Sequence, residues 1–395
     1  MTPERLHQLL AATGLLALVA LAFAVSRHRR RRTEAQAYLK GVRSMISDDP
    51  DAAIEALSGA ARLGTPQARE TYLALGALFR RTGDLSRAIR LHRNMLAAGA
   101  LQPAERPEVE RELAEDYRRS GMLAEAAELL RPRATVDRAA AAALREVLAD
   151  QGAWREAAAL QARLSAGPDR LLAHLLAAAA RADLGGFVAG SSAPELAAQA
   201  LAAARQAVEA DPVGGAALLA LAEAEGAAGH GPEALQALGR ALEVAPGAAV
   251  LAWPAVARQP DRQAALALLL AREAARPGDA ALRMLSGRLL HRLGRRAEAV
   301  AALRAALEQD EAGEVTLALR DLLREVEPPA VEGEDLRDRH ALVVLALQRR
   351  ARAVRCGQCG AEAAARAWRC RACGAFDTLA GEAASGRLDN APRRH

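Results

Sequence analysis

Apolar and polar positions divide the chain into one uniformly apolar run and a long body of helical periodicity. Leu9–Val25 is seventeen residues without a charge. Leu6 extends this run toward the roughly 20 residues that a helix needs to cross a hydrocarbon core. From Tyr38 to Glu327, apolar side chains recur at the three-to-four-residue interval of helices that each bury one face. Within that body a glycine in a short turn is followed five residues later by an alanine, at Gly83/Ala88, Gly121/Ala126, Gly152/Ala157, Gly229/Ala234 and Gly294/Ala299. Asp49-Pro50, Asp211-Pro212, Pro246 and Pro277 punctuate the other turns, with 34 residues from Pro212 to Pro246 and 31 from Pro246 to Pro277.

A period near 34 with helix–turn–helix content is the tetratricopeptide pattern. Glycine lets the chain turn tightly between paired helices, and the small alanine lets the pair approach. The pattern predicts an all-α array of roughly eight repeats, with Tyr72–His92 its best copy. The repeats between 165 and 280 are degenerate, with a loop-like insertion near Gly185–Pro194. Stacked repeats bury a continuous core and present a surface that binds peptides or proteins. Arg80-Arg81 and Arg118-Arg119 fall at equivalent places late in the first helix of two successive repeats. Two readings stand for them: a basic cleft for an acidic partner, or ordinary solvated arginine.

Composition narrows the function classes. The 395 residues are 51% hydrophobic but only 3% aromatic, and Lys40 is the single lysine. A phosphate-binding loop of the Gly-Lys-Ser/Thr kind is excluded, because Lys40 precedes a glycine instead of following one. The net charge of +5 conceals blocks of alternating sign. Arg27 and Arg29–Arg32 supply a basic cluster directly behind the apolar run. Residues 33–338 hold 36 basic and 43 acidic residues, and residues 339–371 hold eight arginines and one glutamate. Positive residues flanking an apolar span stay cytoplasmic. The apolar run therefore reads as an anchor with its amino terminus periplasmic and the bulk of the chain cytoplasmic. The alternative is a cleaved signal peptide ending near Ala22-Phe23-Ala24, but a signal peptide carries its charge in front of the apolar run.

All four cysteines lie near the other end, as Cys356-Gly-Gln-Cys359-Gly360 and Cys370-Arg-Ala-Cys373-Gly374. Two C-x-x-C-G turns aim four thiolates at one point, which suits one zinc or iron ion in a closed tetrahedral site. Disulfides would require an oxidising compartment, and a thioredoxin-like pair would sit beside a βαβ unit. Arg355, Arg369 and Arg371 are placed to offset thiolate charge, and Trp368 and Phe376 to cover the metal core. The eight histidines are scattered, and neither H-E-x-x-H nor G-x-S-x-G occurs. Gly229-His-Gly231 falls in a repeat turn with no strand before it, so it reads as a turn. No catalytic constellation emerges, and the chain reads as a non-enzyme.

The order of these parts resembles the lipopolysaccharide assembly protein B family. The resemblance is carried by Tyr38–Leu57, Gly76–His92, Arg111–Leu130 and the ending Arg355–Cys373, and elsewhere it is architectural. Arg371 and Phe376 depart from the family, which usually has proline and tryptophan there. The resemblance implies a rubredoxin-like ending and an adaptor that helps the membrane protease FtsH degrade the LpxC deacetylase, thereby regulating lipopolysaccharide synthesis. The implied partners are FtsH, LpxC and the inner membrane, without nucleic acid and with room for a homodimer. The expected organisation is an anchor at 6–26, a basic stub at 27–37, the repeat array at 38–327, a linker and connecting helix at 328–353, the metal module at 354–376 and a tail at 377–395. Docking of the metal module on the array is expected from their opposite charge. The rival readings are a scaffold for another envelope assembly system and a metal-dependent redox protein.

Overall fold

The computed structural model describes residues 18–29, 32–33, 36, 68–97, 101–167, 169–185, 193–309, single positions between 319 and 326, 354–363 and 367–376. The chain divides into two compact units, Met1–Val147 and Leu148–His395. Between residues 68 and 309 the helices are α1 (Ala68–Arg81), α2 (Leu85–Ala97), α3 (Arg106–Ser120), α4 (Leu123–Leu130), α5 (Arg138–Asp150), α6 (Trp154–Leu164), α7 (Arg170–Gly185), α8 (Ala193–Ala210), α9 (Gly215–Ala227), α10 (Gly231–Val244), α11 (Trp253–Ala257), α12 (Arg262–Ala275), α13 (Ala280–Arg292) and α14 (Arg296–Gln309). A 3-10 turn, Pro246–Leu251, precedes α11. The strands β1 (Val354–Arg355) and β2 (Glu362–Ala363) pair antiparallel.

The glycine–alanine rule holds in all five copies. Gly83, Gly121, Gly152, Gly229 and Gly294 adopt φ between 76° and 84°. This left-handed backbone strains any residue with a Cβ. Each matching alanine, Ala88, Ala126, Ala157, Ala234 and Ala299, is fully buried. Aspartates begin several helices: Asp261 accepts from the amides of Gln263 and Ala264, and Asp279 from that of Leu282. Such caps satisfy amides that have no partner inside the helix.

In the first unit α1 packs on α2 and also reaches α3, so neighbouring pairs stack through their first helices. Leu75, Leu78, Phe79 and Ala88 form the apolar centre of the first pair. A buried polar cluster joins that pair to the next. His92 donates or accepts at Nδ1 with Asp116 Oδ2 at 2.6 Å, and Arg80 donates to Asp116 Oδ1 at 2.6 Å. Gly76 lies against the His92 imidazole, where a Cβ would overlap the ring.

The second unit repeats this stacking, with α7 reaching α9, α9 reaching α11 and α11 reaching α13. Helix α9 is apolar around nearly its whole circumference and is buried on every face, as expected of a central helix. The first helix of the following pair is broken into the 3-10 turn and α11. Pro246 and Pro254 lie at the starts of these two segments, and proline is tolerated in a first turn but not in a helix interior. This is the physical content of the degeneracy seen in the middle repeats.

Close approach sets one sharp requirement. A Cβ at Gly226 would come within 2.6 Å of the Arg258 carbonyl oxygen, and a backbone atom cannot rotate away. Alanine would gain about 1 kcal/mol in helix propensity, against about 1–3 kcal/mol for overpacking. Gly226→Ala is therefore expected to lower the thermal midpoint of the chain by a few degrees. A raised midpoint would show that α9 and the turn after α11 separate freely.

Residues 18–29 are helical, and Leu18, Val19, Leu21, Phe23 and Val25 are exposed. The helix continues past the expected end of the anchor at Ser26. Among the described residues no helix is long and apolar enough to cross a membrane, and residues 6–17 of the expected anchor lie outside the described set. So do five of the eleven stub residues, residues 38–67, residues 186–192 of the expected insertion, the linker at 328–353 and the tail.

Candidate metal centre

Two matching turns build the four-cysteine cluster. In the first, the Gly360 amide donates to the Cys356 carbonyl at 2.8 Å and the Cys356 amide to the Ala361 carbonyl at 2.9 Å. In the second, the Gly374 amide donates to the Cys370 carbonyl at 2.9 Å and the Cys370 amide to the Ala375 carbonyl at 2.7 Å. Gly360 and Gly374 have φ of 71° and 77°, so both turns depend on left-handed glycine. The β1–β2 pairing sets Val354 opposite Ala363, beside the first turn.

The sulfurs converge. Cys356 Sγ lies 3.7 Å from Cys373 Sγ, and Cys359 Sγ lies 3.8 Å from Cys370 Sγ. All four fall within 4.8 Å of one another. A tetrahedral ion with metal–sulfur bonds of about 2.3 Å requires sulfur–sulfur edges of about 3.8 Å. The donor set therefore fits a divalent zinc or iron ion, with Cys356, Cys359, Cys370 and Cys373 as the ligands. Without a metal, burial pushes the Cys373 thiol up to about 12, and hydrogen bonding among the neighbouring sulfurs adds to the rise, while the Ala375 amide opposes it. A coordinated cation reverses that preference, because a coordinating thiol is deprotonated outright. The ion would hold the two turns together and supply no open coordination position.

Residues 355–380 match the family described as the rubredoxin metal binding domain, the zinc ribbon of LapB. The chain carries the metal ribbon of the lipopolysaccharide assembly protein B family. No curated protein matches the sequence. Among solved structures, the chain is similar to a tetratricopeptide repeat protein from Parabacteroides merdae, with 14% identity, 75% of this chain and 99% of that chain covered, and a TM-score of 0.33. It is also similar to the C-terminal part of a TPR repeat-containing protein from Cytophaga hutchinsonii, with 11% identity, 69% and 95% coverage and a TM-score of 0.43.

The LapB-type ribbon lies against the repeat helices of the second unit. Arg369 donates to Asp150 at the end of α5 at 2.5 Å, and its guanidinium lies 5.9 Å from the Trp154 ring. His174 of α7 stacks on Phe376 at 5.1 Å and meets Trp368 at 6.0 Å. Arg181 of α7 bonds to Glu223 of α9 and stands 5.9 Å from the Trp368 ring. Gly215 opens α9 where a Cβ would come within 3.4 Å of the same indole.

These contacts correct two readings of the sequence. Trp368 and Phe376 face the helices, and the small centre of the ribbon is closed by Ala363 and Ala367 against Cys356 and Cys370. Arg369 is engaged by Asp150 and the Gly374 carbonyl, and Arg355 by Glu362. The Arg369–Asp150 pair is about four-fifths buried at both ends, and a charge-assisted bond in that setting is about twice as strong as a neutral one. A double-mutant cycle with Arg369→Ala and Asp150→Ala is expected to show coupling of about 1 kcal/mol or more in urea unfolding. Additive effects would mean that the pair contributes nothing to docking.

The arginines singled out for partner binding have internal carboxylates close by. Arg80 donates to Glu112 and Asp116, both at 2.6 Å. Burial alone would disfavour its charge, and these two carboxylates outweigh it, raising the pKa. Arg118 and Arg119 both donate to Glu115, at 2.6 and 2.8 Å. Burial opposes ionisation of Glu115, but the two arginines hold its carboxyl below the usual range. That contribution to stability is complete above the unfolded pKa and is lost as pH falls through the lowered folded one. Arg81 is exposed. Arg80 thus ties two helical pairs together through Glu112 and Asp116, while Arg118 also meets a carboxylate of its own helix, Glu115.

Proposed function

We propose that this chain is a membrane-anchored cytoplasmic adaptor that regulates lipopolysaccharide synthesis by presenting the LpxC deacetylase to the membrane protease FtsH. The observation that carries the reading is the four-thiolate ribbon of the LapB type seated on tandem helical pairs. Tandem pairs supply a large surface for proteins and no reacting groups. The exposed apolar side chains at 18–25, followed by arginines, support an anchor with the array on the cytoplasmic side. Tethering confines the adaptor to the plane of its membrane partner and raises their effective concentration without strong individual contacts.

Crosslinking in intact membranes, followed by recovery of the full chain, is expected to bring down both FtsH and LpxC. Recovery of other envelope assembly proteins in place of these two would favour the general scaffold. For the topology, alkaline phosphatase fused after residue 60 is expected to be inactive, and activity would place the array in the periplasm.

A further inference from the structure

A second cationic feature lies on the later helices of the second unit. Arg288 and Arg292 stand one turn apart on α13, and both guanidiniums cover the ring of Trp253 at the start of α11. The distances to the ring centroid are 4.1 Å for Arg288 and 4.9 Å for Arg292. Among the described residues, neither guanidinium has a hydrogen-bonded or ion-paired carboxylate. Arg288 is half-buried and Arg292 exposed. Burial lowers the Arg288 pKa and the charge of Arg292 lowers it further, with Glu325 opposing both. The arrangement contrasts with Arg80, Arg118 and Arg119, whose charges are met by carboxylates.

Two guanidiniums held against one aromatic ring repel each other, and the ring quadrupole answers only part of that charge. Each retains a planar fork of donors matched to a carboxylate. The metal ribbon covers the neighbouring part of the same unit through Trp368, at α7 and the start of α9. Helices α11 and α13 carry the Trp253 cluster farther along the series.

We propose that Trp253, Arg288 and Arg292 form a docking site for an acidic peptide segment of a partner protein. Carboxylates of the segment pair with the two guanidiniums, and its backbone or an apolar side chain lies along the indole. The proposal rests on the scaffold reading of the array, but on neither named partner.

The test uses fluorescein-labelled octaglutamate and the full chain purified in detergent, read by fluorescence anisotropy. The wild type is expected to bind in a salt-sensitive manner. Arg288→Gln/Arg292→Gln should weaken binding about tenfold or more, and Arg296→Gln, on the exposed start of α14, should leave it unchanged. Trp253→Leu should weaken it by a smaller factor, with thermal melting used to confirm folding of every variant. Absence of wild-type binding, or equal affinity in the double arginine variant, would overturn the proposal. Binding that appears only after Glu327, Glu332, Glu334 and Asp335 are neutralised would also overturn it, by assigning the site to the chain's own acidic segment. Recovery of FtsH and LpxC from membranes despite a failed peptide test would defeat this site alone. A successful peptide test without those two proteins would defeat only the named partners.

Discussion

The full chain carrying Cys356→Ser and Cys370→Ser is expected to retain less than about a tenth of the wild-type metal and to lose the docked ribbon. Structural zinc in small thiolate modules contributes an apparent 10–16 kcal/mol or so at neutral pH, much of it as folding free energy. The ribbon has no other adequate source of order. Its β pairing is two residues long on each strand, and its own apolar centre consists of alanines around the cysteines. Without the ion, the turns that aim Trp368, Arg369 and Phe376 at the helices have nothing to hold them. Metal analysis together with limited trypsin digestion checks this: cleavage at Arg369 or Arg371 should be rapid in the variant and slow in the wild type. Metal-free protein with an undiminished resistance to trypsin would show that the ribbon folds and docks without the ion.

Asp116→Ala should have the second-largest effect, confined to the first unit. Asp116 is completely buried and joins His92 of α2 to Arg80 of α1. Its removal leaves a guanidinium with one partner fewer and a buried imidazole with none at Nδ1. The other ring nitrogen, His92 Nε2, is already buried without a hydrogen bond. Breaking a buried pair by deleting one member costs about 3–5 kcal/mol. Amide hydrogen exchange in α1, α2 and α3 should accelerate about a hundredfold or more, while α9 and α13 keep their protection. Unchanged exchange in α1–α3 would mean that the cluster is incidental to stacking of the pairs.

What was legible in the sequence was whatever depends on a short stretch of chain. Gly83 and Gly121 mark left-handed turns because no other residue takes that backbone without strain, and Ala88 and Ala126 mark the close contact that follows. The four cysteines announced their site for the same reason, since each C-x-x-C-G turn is complete within five residues. The seat of the ribbon could not be read in this way. Asp150, His174, Arg181 and Gly215 are far from Trp368, Arg369 and Phe376 in sequence, and each has a sufficient local explanation as an ordinary helix residue. Opposite block charge did anticipate docking, but it could not show that aromatic stacking on His174 and the Arg369 guanidinium against Trp154 would orient it. His92 was hidden similarly. A histidine on an apolar helix face carries no sign of its aspartate on the next pair, although Gly76, one helix back, is the small residue that makes room for the ring.

The adaptor reading meets its most direct test in the lifetime of LpxC after protein synthesis is stopped in the source bacterium. Depletion of this chain is predicted to lengthen that lifetime. Wild-type protein should restore it, and the Cys356→Ser/Cys370→Ser variant should not. An LpxC lifetime that stays the same on depletion would contradict the account.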